Sequence, residues 1–398
     1  MTAADHKHPA NQKRPGNQKR IVFLTGTRAD FGKIKSLLVR LQDDPAFELH
    51  LFVTGMHMLN KYGYTAKEVA DGGFANIYRY INQNETDNMD TVLAKTIVGF
   101  SDYVREIAPD MVVVHGDRVE AMAGAIVGAM NNILVAHIEG GEVSGTIDEL
   151  VRHAVSKLSH LHFVANTQAK MRLMQLGEQE ETVFVIGSPD IDIMASGTLP
   201  DIEQVRHYYE IGFDRYGIVL FHPVTTALDA LPTQARLFVD SLIASDRDYV
   251  VIYPNNDDGS EIILREYARL AGNRRFRVLP SMRFEYFLTL MKHTDFVIGN
   301  SSAGVREAPF YGLPSINVGS RQHNRAVAPT IINVDFDAAE LRQAIERTRS
   351  IAVQPTAHFG AGGSDERFCE ALRTPELWAV PKQKHFFDLI PWTLDEPS

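Results

Sequence analysis

Residues 111–139 read MVVVHGDRVEAMAGAIVGAMNNILVAHIE. Residues 111–114 are apolar and rich in β-branched side chains, as a strand buried on both faces requires. Residues 119–130 have the amphipathic spacing of a helix, and residues 133–136 repeat the strand pattern. Strand, helix and strand in so short a stretch make a βαβ unit, so the sheet is parallel. Outward from there the alternation continues. Residues 21–24, 48–53, 161–165 and 183–186 read as strands, with helical spacing over 33–41 and 91–107.

The pattern restarts after Gly197-Thr198-Leu199-Pro200. Strands are expected at 217–221, 249–253, 277–279, 296–298 and 315–318. The expected organisation is a disordered leader (1–19), a Rossmann-like domain (20–197), a second Rossmann-like domain (198–373) and a C-terminal segment (374–398). That last segment carries Trp378, Phe386, Phe387 and Trp392, which is too apolar to float, so it packs back on the body. Two open α/β domains in tandem aim their strand C-termini at a shared cleft, where ligands bind.

Composition narrows the function. The 398 residues are 44% hydrophobic and 23% charged, and the formal net charge is −10. An acidic body argues against a nucleic-acid partner but not against a small anion held by a few arginines. No apolar run is long enough to span a membrane, and the polar first 20 residues have no signal-peptide core. The lone Cys369 excludes an intrachain disulfide and fits a cytoplasmic location. No HExxH, CxxC or EF-hand spacing points to a metal, and no cofactor is expected.

Chemistry-bearing residues cluster just after strands. GTRADFGK (26–33) misses the P-loop spacing, so Arg28 at a helix start is read as an anion contact instead. HGDR (115–118) places Asp117 and Arg118 at a strand end, where Asp117 either caps the next helix or enters the cleft. HIEGGEVSGTIDELVRH (137–153) puts Glu139 before a glycine-rich loop and Asp148 in the first turn of a helix that begins near Thr146, with Thr146 and Glu149 as a capping box; Glu139 and Asp148 are read as entering the cleft with Asp117. Crowded carboxylates split their pKa values, so one can serve as acid and another as base. His222 and Asn255 end strands in the second half. In GNSSAGVRE (299–307), Ser301 and Ser302 form an anion nest at a helix start, and Glu307 is suited to ribose hydroxyls. Arg321 follows the next strand as a second anion contact.

Taken in order, GTRADFGK, HGDR, HIEGGEVSGTIDELVRH, GSPDID, FHPVT and GNSSAGVRE resemble the hydrolysing UDP-N-acetylglucosamine 2-epimerases over roughly residues 20–375. The resemblance implies a GT-B-like architecture, with two Rossmann-like doubly wound domains around a central cleft. It implies Asp117, Glu139 and Asp148 as catalytic carboxylates and His222 beside the diphosphate. Arg28, Arg118, Asn255, Ser301, Ser302, Glu307 and Arg321 match UDP-binding positions, while Gly32 stands where some relatives have serine. The implied reaction converts UDP-N-acetylglucosamine and water to N-acetylmannosamine and UDP, for sialic acid synthesis. It proceeds by elimination to 2-acetamidoglucal and then hydration, in a homo-oligomer (dimer or tetramer). The same chemistry on UDP-N,N′-diacetylbacillosamine is the nearest alternative. A non-hydrolysing epimerase is disfavoured by GTRAD in place of a GTRPE-like stretch. A GT-B glycosyltransferase and a UDP-sugar sensor are the readings from other classes.

Overall fold

A computed structural model describes residues 18–84, 86–322 and 324–389. Residues 1–17 of the expected leader and Trp392 lie outside them. Two parallel sheets carry the fold. The first comprises β1 (Lys19–Thr25), β2 (Phe47–Val53), β3 (Asn76–Arg79), β4 (Met111–His115), β5 (Leu134–Ile138), β6 (Leu161–Val164) and β7 (Val183–Val185), in the order β3-β2-β1-β4-β5-β6-β7. The second comprises β8 (Gly217–Leu220), β9 (Tyr249–Ile252), β10 (Phe276–Leu279), β11 (Phe296–Gly299), β12 (Ser315–Val318) and β13 (Ile331–Val334), in the order β10-β9-β8-β11-β12-β13. In each sheet the strand order reverses beside the first strand, between β1 and β4 and between β8 and β11. The crevice outside the strand C-termini at such a reversal is where doubly wound folds bind ligands.

The central strands are buried on both faces. Every residue of β4 and β5 is inaccessible or nearly so, which is why they read as continuous apolar runs. The edge strands β3 and β13 are half-exposed and carry mixed side chains. They have no comparable run, and the sequence pattern missed both. The helix Arg28–Gln42 buries Phe31, Ile34, Leu37, Leu38 and Leu41 against the first sheet, one apolar stripe at helical spacing. Thr27 caps it with Asp30 in a reciprocal box, so the aspartate of GTRAD is a structural cap.

Two expected boundaries need correction. Lys19, assigned to the leader, is the first residue of β1. The return to the first domain begins before Thr374. The helix Ser364–Arg373, assigned to the second domain, buries Phe368, Cys369 and Leu372 in the first domain's core. Phe368 packs edge-on against Phe163 at 4.5 Å and Phe23 at 6.2 Å between ring centres. An amphipathic pattern states that a helix has an apolar face, not which sheet covers it. Between Trp378 and the last described residue, Leu389, the chain makes further contacts with the first domain, and the Phe387 amide donates to the Gly177 carbonyl at 2.9 Å.

Candidate active site

A cavity of about 300 Å³ lies between the sheets. All eleven residues singled out from the sequence line it: Arg28, Asp117, Arg118, Glu139, Asp148, His222, Asn255, Ser301, Ser302, Glu307 and Arg321. The first domain supplies the three carboxylates. The second supplies His222, Asn255, the two serines and Glu307.

Glu139 follows the last residue of β5 and has φ +73°. A left-handed backbone is uncommon for a residue other than glycine, and such strain concentrates at functional sites. Its carboxylate lies 3.0 Å from His115 Nε2 and, across the cleft, 3.0 Å from Arg306 and 2.7 Å from Arg325. Burial disfavours its charge, but Arg306 first, then Lys33 and His115, outweigh it and hold the carboxyl well below its usual range. Asp148 lies in the first turn of the helix Ile147–Leu158, where Thr146 Oγ1 accepts its amide. Burial is again outweighed, here by Arg321 at 2.8 Å and then Arg152, and its pKa is also lowered.

The expected pKa splitting among these carboxylates is therefore not what the structure has. Cations stand between them, so Glu139 and Asp148 are both pushed down. The aspartate pushed up is Asp257 of the second domain, where burial outweighs Arg118. Two further local expectations need correction. Glu149 accepts the Ser144 amide rather than that of Thr146, so Thr146 caps without a box. After Ser301 comes a single 3₁₀ turn, Ser302–Gly304, and then a four-residue helix, Glu307–Phe310. Pro309 and this short length leave little helix dipole, so anion binding there falls to hydroxyls and backbone amides.

Asp117 does not cap the following helix, whose N-cap residue is Arg118. It pairs with the fully buried Arg152, one turn beyond Asp148 on the same helix. Gly116, just before it, is pinned by β5: its carbonyl accepts from His137 Nε2 at 2.8 Å. His222 is half-buried on the cavity wall; desolvation there depresses its pKa to about 3, with Arg321 adding to the effect. Its Nδ1 accepts the Asn255 amide at 3.1 Å, so the neutral ring carries its proton on Nε2. Arg28 holds Glu68 at 2.6 Å and Ser281 of the second domain at 2.8 Å. Arg118 donates to Asn256 across the cleft at 2.8 Å. Glu307 Oε1 pairs with Lys33 at 3.1 Å, while its Oε2 is buried with no partner among the described residues. Gly32 packs on Phe284: a Cβ there would fall 2.3 Å from the Phe284 Cβ, so serine does not fit. Gly145 likewise sits against the second domain, its amide donating to the Arg321 carbonyl at 2.8 Å.

The residues that sequence reading missed are the buried cations and His115. Arg306 and Arg325 come from the second domain and bridge Glu139 and Glu142 of the first. Arg152 had a readable signal, its i, i+4 spacing from Asp148. Arg306 and Arg325 had none, since the carboxylates they bridge, Glu139 and Glu142, lie more than 160 residues away.

Residues 39–373 match the family described as UDP-N-acetylglucosamine 2-epimerase. A UDP-N-acetylglucosamine 2-epimerase from Neisseria meningitidis serogroup B is 49% identical over 93% of this chain and 99% of its own. A UDP-N,N′-diacetylbacillosamine 2-epimerase (hydrolyzing) from Legionella pneumophila is 34% identical over 90% of this chain and 97% of its own. A crystal structure of a UDP-GlcNAc 2-epimerase from Neisseria meningitidis bound to UDP-GlcNAc superposes with a TM-score of 0.75 at 17% identity. It covers 89% of this chain and 99% of that one, and shows the shared GT-B-like fold.

Proposed function

Because the chain belongs to the UDP-N-acetylglucosamine 2-epimerase family, we propose that it hydrolyses UDP-N-acetylglucosamine to UDP and N-acetylmannosamine. The observation that carries the reading is that one cavity gathers Asp117, Glu139 and Asp148 of the first domain with His222, Asn255, Ser301, Ser302, Glu307 and Arg321 of the second, flanked by Arg28 and Arg118.

In this reading the nucleotide lies against the second domain. Glu307 Oε2 takes the ribose hydroxyls, and Ser301, Ser302, Arg321 and the His222 Nε2–H hold the diphosphate. Departure of UDP from C1 builds oxocarbenium character, which acidifies the C2–H. Stabilising the leaving diphosphate is the largest electrostatic task, and fixed arginines and amides perform it without reorganising. Glu139, already ionised, is placed to take the C2 proton. The 2-acetamidoglucal then gains a proton at C2 on the opposite face and water at C1, which requires a second acid/base group. Asp117 and Asp148 fill that role. The identity to a relative named as hydrolyzing supports water as the final acceptor.

That same relative supports a second reading, UDP-N,N′-diacetylbacillosamine as substrate. Turnover of the two nucleotide sugars, with products separated by mass, decides between them. UDP and N-acetylmannosamine from the first sugar are the expected result. Turnover of the bacillosamine sugar alone would move the assignment, and UDP-N-acetylmannosamine as product would overturn hydrolysis. We further propose a cytoplasmic, homo-oligomeric enzyme. A single 44.5 kDa species in sedimentation velocity would count against the oligomer.

A further inference from the structure

Beside the main cavity lies a smaller one of about 50 Å³. The two share Asp117, Arg118, Asp148, Asn255 and Arg321, but Glu139 borders only the larger. The private walls of the smaller chamber include Gln83, Glu120, Asn256 and Asp257. Three of its lining residues carry a buried polar atom without a partner among the described residues: Gln83 Nε2, Glu120 Oε1 and Asn255 Oδ1. Gln83 and Glu120 are 3% and 1% exposed. Gln83 is held in place through its other end, since its Oε1 accepts from Asn256 Nδ2 across the cleft at 2.9 Å.

Orphaned polar atoms are rare in a folded interior; Glu120 Oε1 lies beside Gly26 and Gly55, but two such atoms on chamber-lining residues, Gln83 Nε2 and Asn255 Oδ1, indicate a polar occupant. A chamber this size admits a few water molecules, each needing two to four polar neighbours, but no sugar or nucleotide. Its walls supply donors and acceptors in mixture, as water requires and as an anion or cation alone does not.

We propose that this side chamber holds the water that hydrates the glycal, with Gln83 Nε2 orienting it toward C1 and Asp148 receiving its proton. The inference rests on the hydrolytic reading above. In the step, C2 of the glycal takes a proton from an acid group and the water oxygen bonds to C1. The proton that water loses passes to Asp148, so atoms balance and no redox change occurs. The arrangement separates the two half-reactions. Elimination uses the Glu139 wall, and hydration enters from the side chamber, which Glu139 does not border, past Asp117 and Asp148.

The test uses the full chain and Gln83→Leu in two proton-NMR assays. One starts from UDP-N-acetylglucosamine, the other from 2-acetamidoglucal plus UDP. Gln83→Leu is expected to hydrate glycal about tenfold more slowly and to release glycal from the nucleotide sugar, while UDP release slows much less. Gln83→Glu, which keeps an acceptor for Asn256 but replaces the Nε2 donor with a charged acceptor, is expected to shift the product the same way. It carries the test if the leucine variant does not fold. Hydration at the wild-type rate in the variants, or an equal fall in both half-reactions, overturns the chamber's role. A wild-type protein inert toward UDP-N-acetylglucosamine would overturn the premise instead, and that outcome is read separately.

Discussion

Glu139 and Glu178 are two buried carboxylates of the first domain in similar company. Glu139 has His115 at 3.0 Å, with Lys33 among its neighbouring charges. Glu178 has His162 at 2.9 Å and Lys384 at 2.6 Å. Both lie below the usual carboxyl range. At Glu178, burial is outweighed by His162 and then Lys384, and the pKa is about 2. The surroundings differ. Glu139 opens on the cavity, has a left-handed backbone and is gripped by arginines from the other domain. Glu178 lies outside the cavity, and its lysine also caps the carbonyls of Ser156, Lys157 and Ser159, tying the C-terminal segment down. On the proposed mechanism, a perturbed carboxylate serves chemistry in one place and architecture in the other.

Substitution separates the two. Glu139→Gln should lower turnover about a thousandfold, as loss of a general base does. Titration calorimetry should find UDP affinity little changed. Near-normal turnover would remove Glu139 from the chemistry. Glu178→Gln should do the reverse: a loss of about 2 kcal/mol from leaving the buried His162 and the half-buried Lys384 without their charged acceptor, seen as a lower Tm, with kcat of the folded protein retained. The stability that Glu178 contributes is fully present above its unfolded pKa, near 4.5, and is lost as pH falls toward about 2. The gap between wild type and variant in urea unfolding should narrow over that window.

Two smaller effects sharpen the contrast. Arg152→Lys keeps a charge beside Asp117 but loses the planar fork that also reaches Ser144. A fall in kcat of about tenfold is expected from the misplaced carboxylate, with UDP binding intact. Unchanged kcat would mean that Asp117 needs no such support. Lys384→Ala should cost about 1 kcal/mol of stability and leave kcat alone. A fall in kcat there would tie the C-terminal segment to the site through the helix Ile147–Leu158, whose first turn holds Asp148.

The contrast also explains what the sequence could disclose. Both sheets were legible because buried parallel strands are continuous apolar runs. The edge strands β3 and β13 were not read, although β7 and β10, edges of similar partial burial, were. Strand-end position picked out Asp117, Glu139 and His222, since topology places such ends at the cleft. The cations that set the charge state of Glu139 were hidden. Arg306 and Arg325 act through contacts between domains, and no local pattern encodes a partner so far along the chain. The destination of the helix Ser364–Arg373 was hidden for the same reason.

The central claim is that the cleft removes and replaces the C2 proton while expelling UDP. Proton NMR of the protein with UDP-N-acetylglucosamine in D₂O tests it most directly. The expected result is UDP together with N-acetylmannosamine carrying deuterium at C2. N-acetylmannosamine with the original C2 proton, or no turnover by protein that still binds UDP, would contradict it.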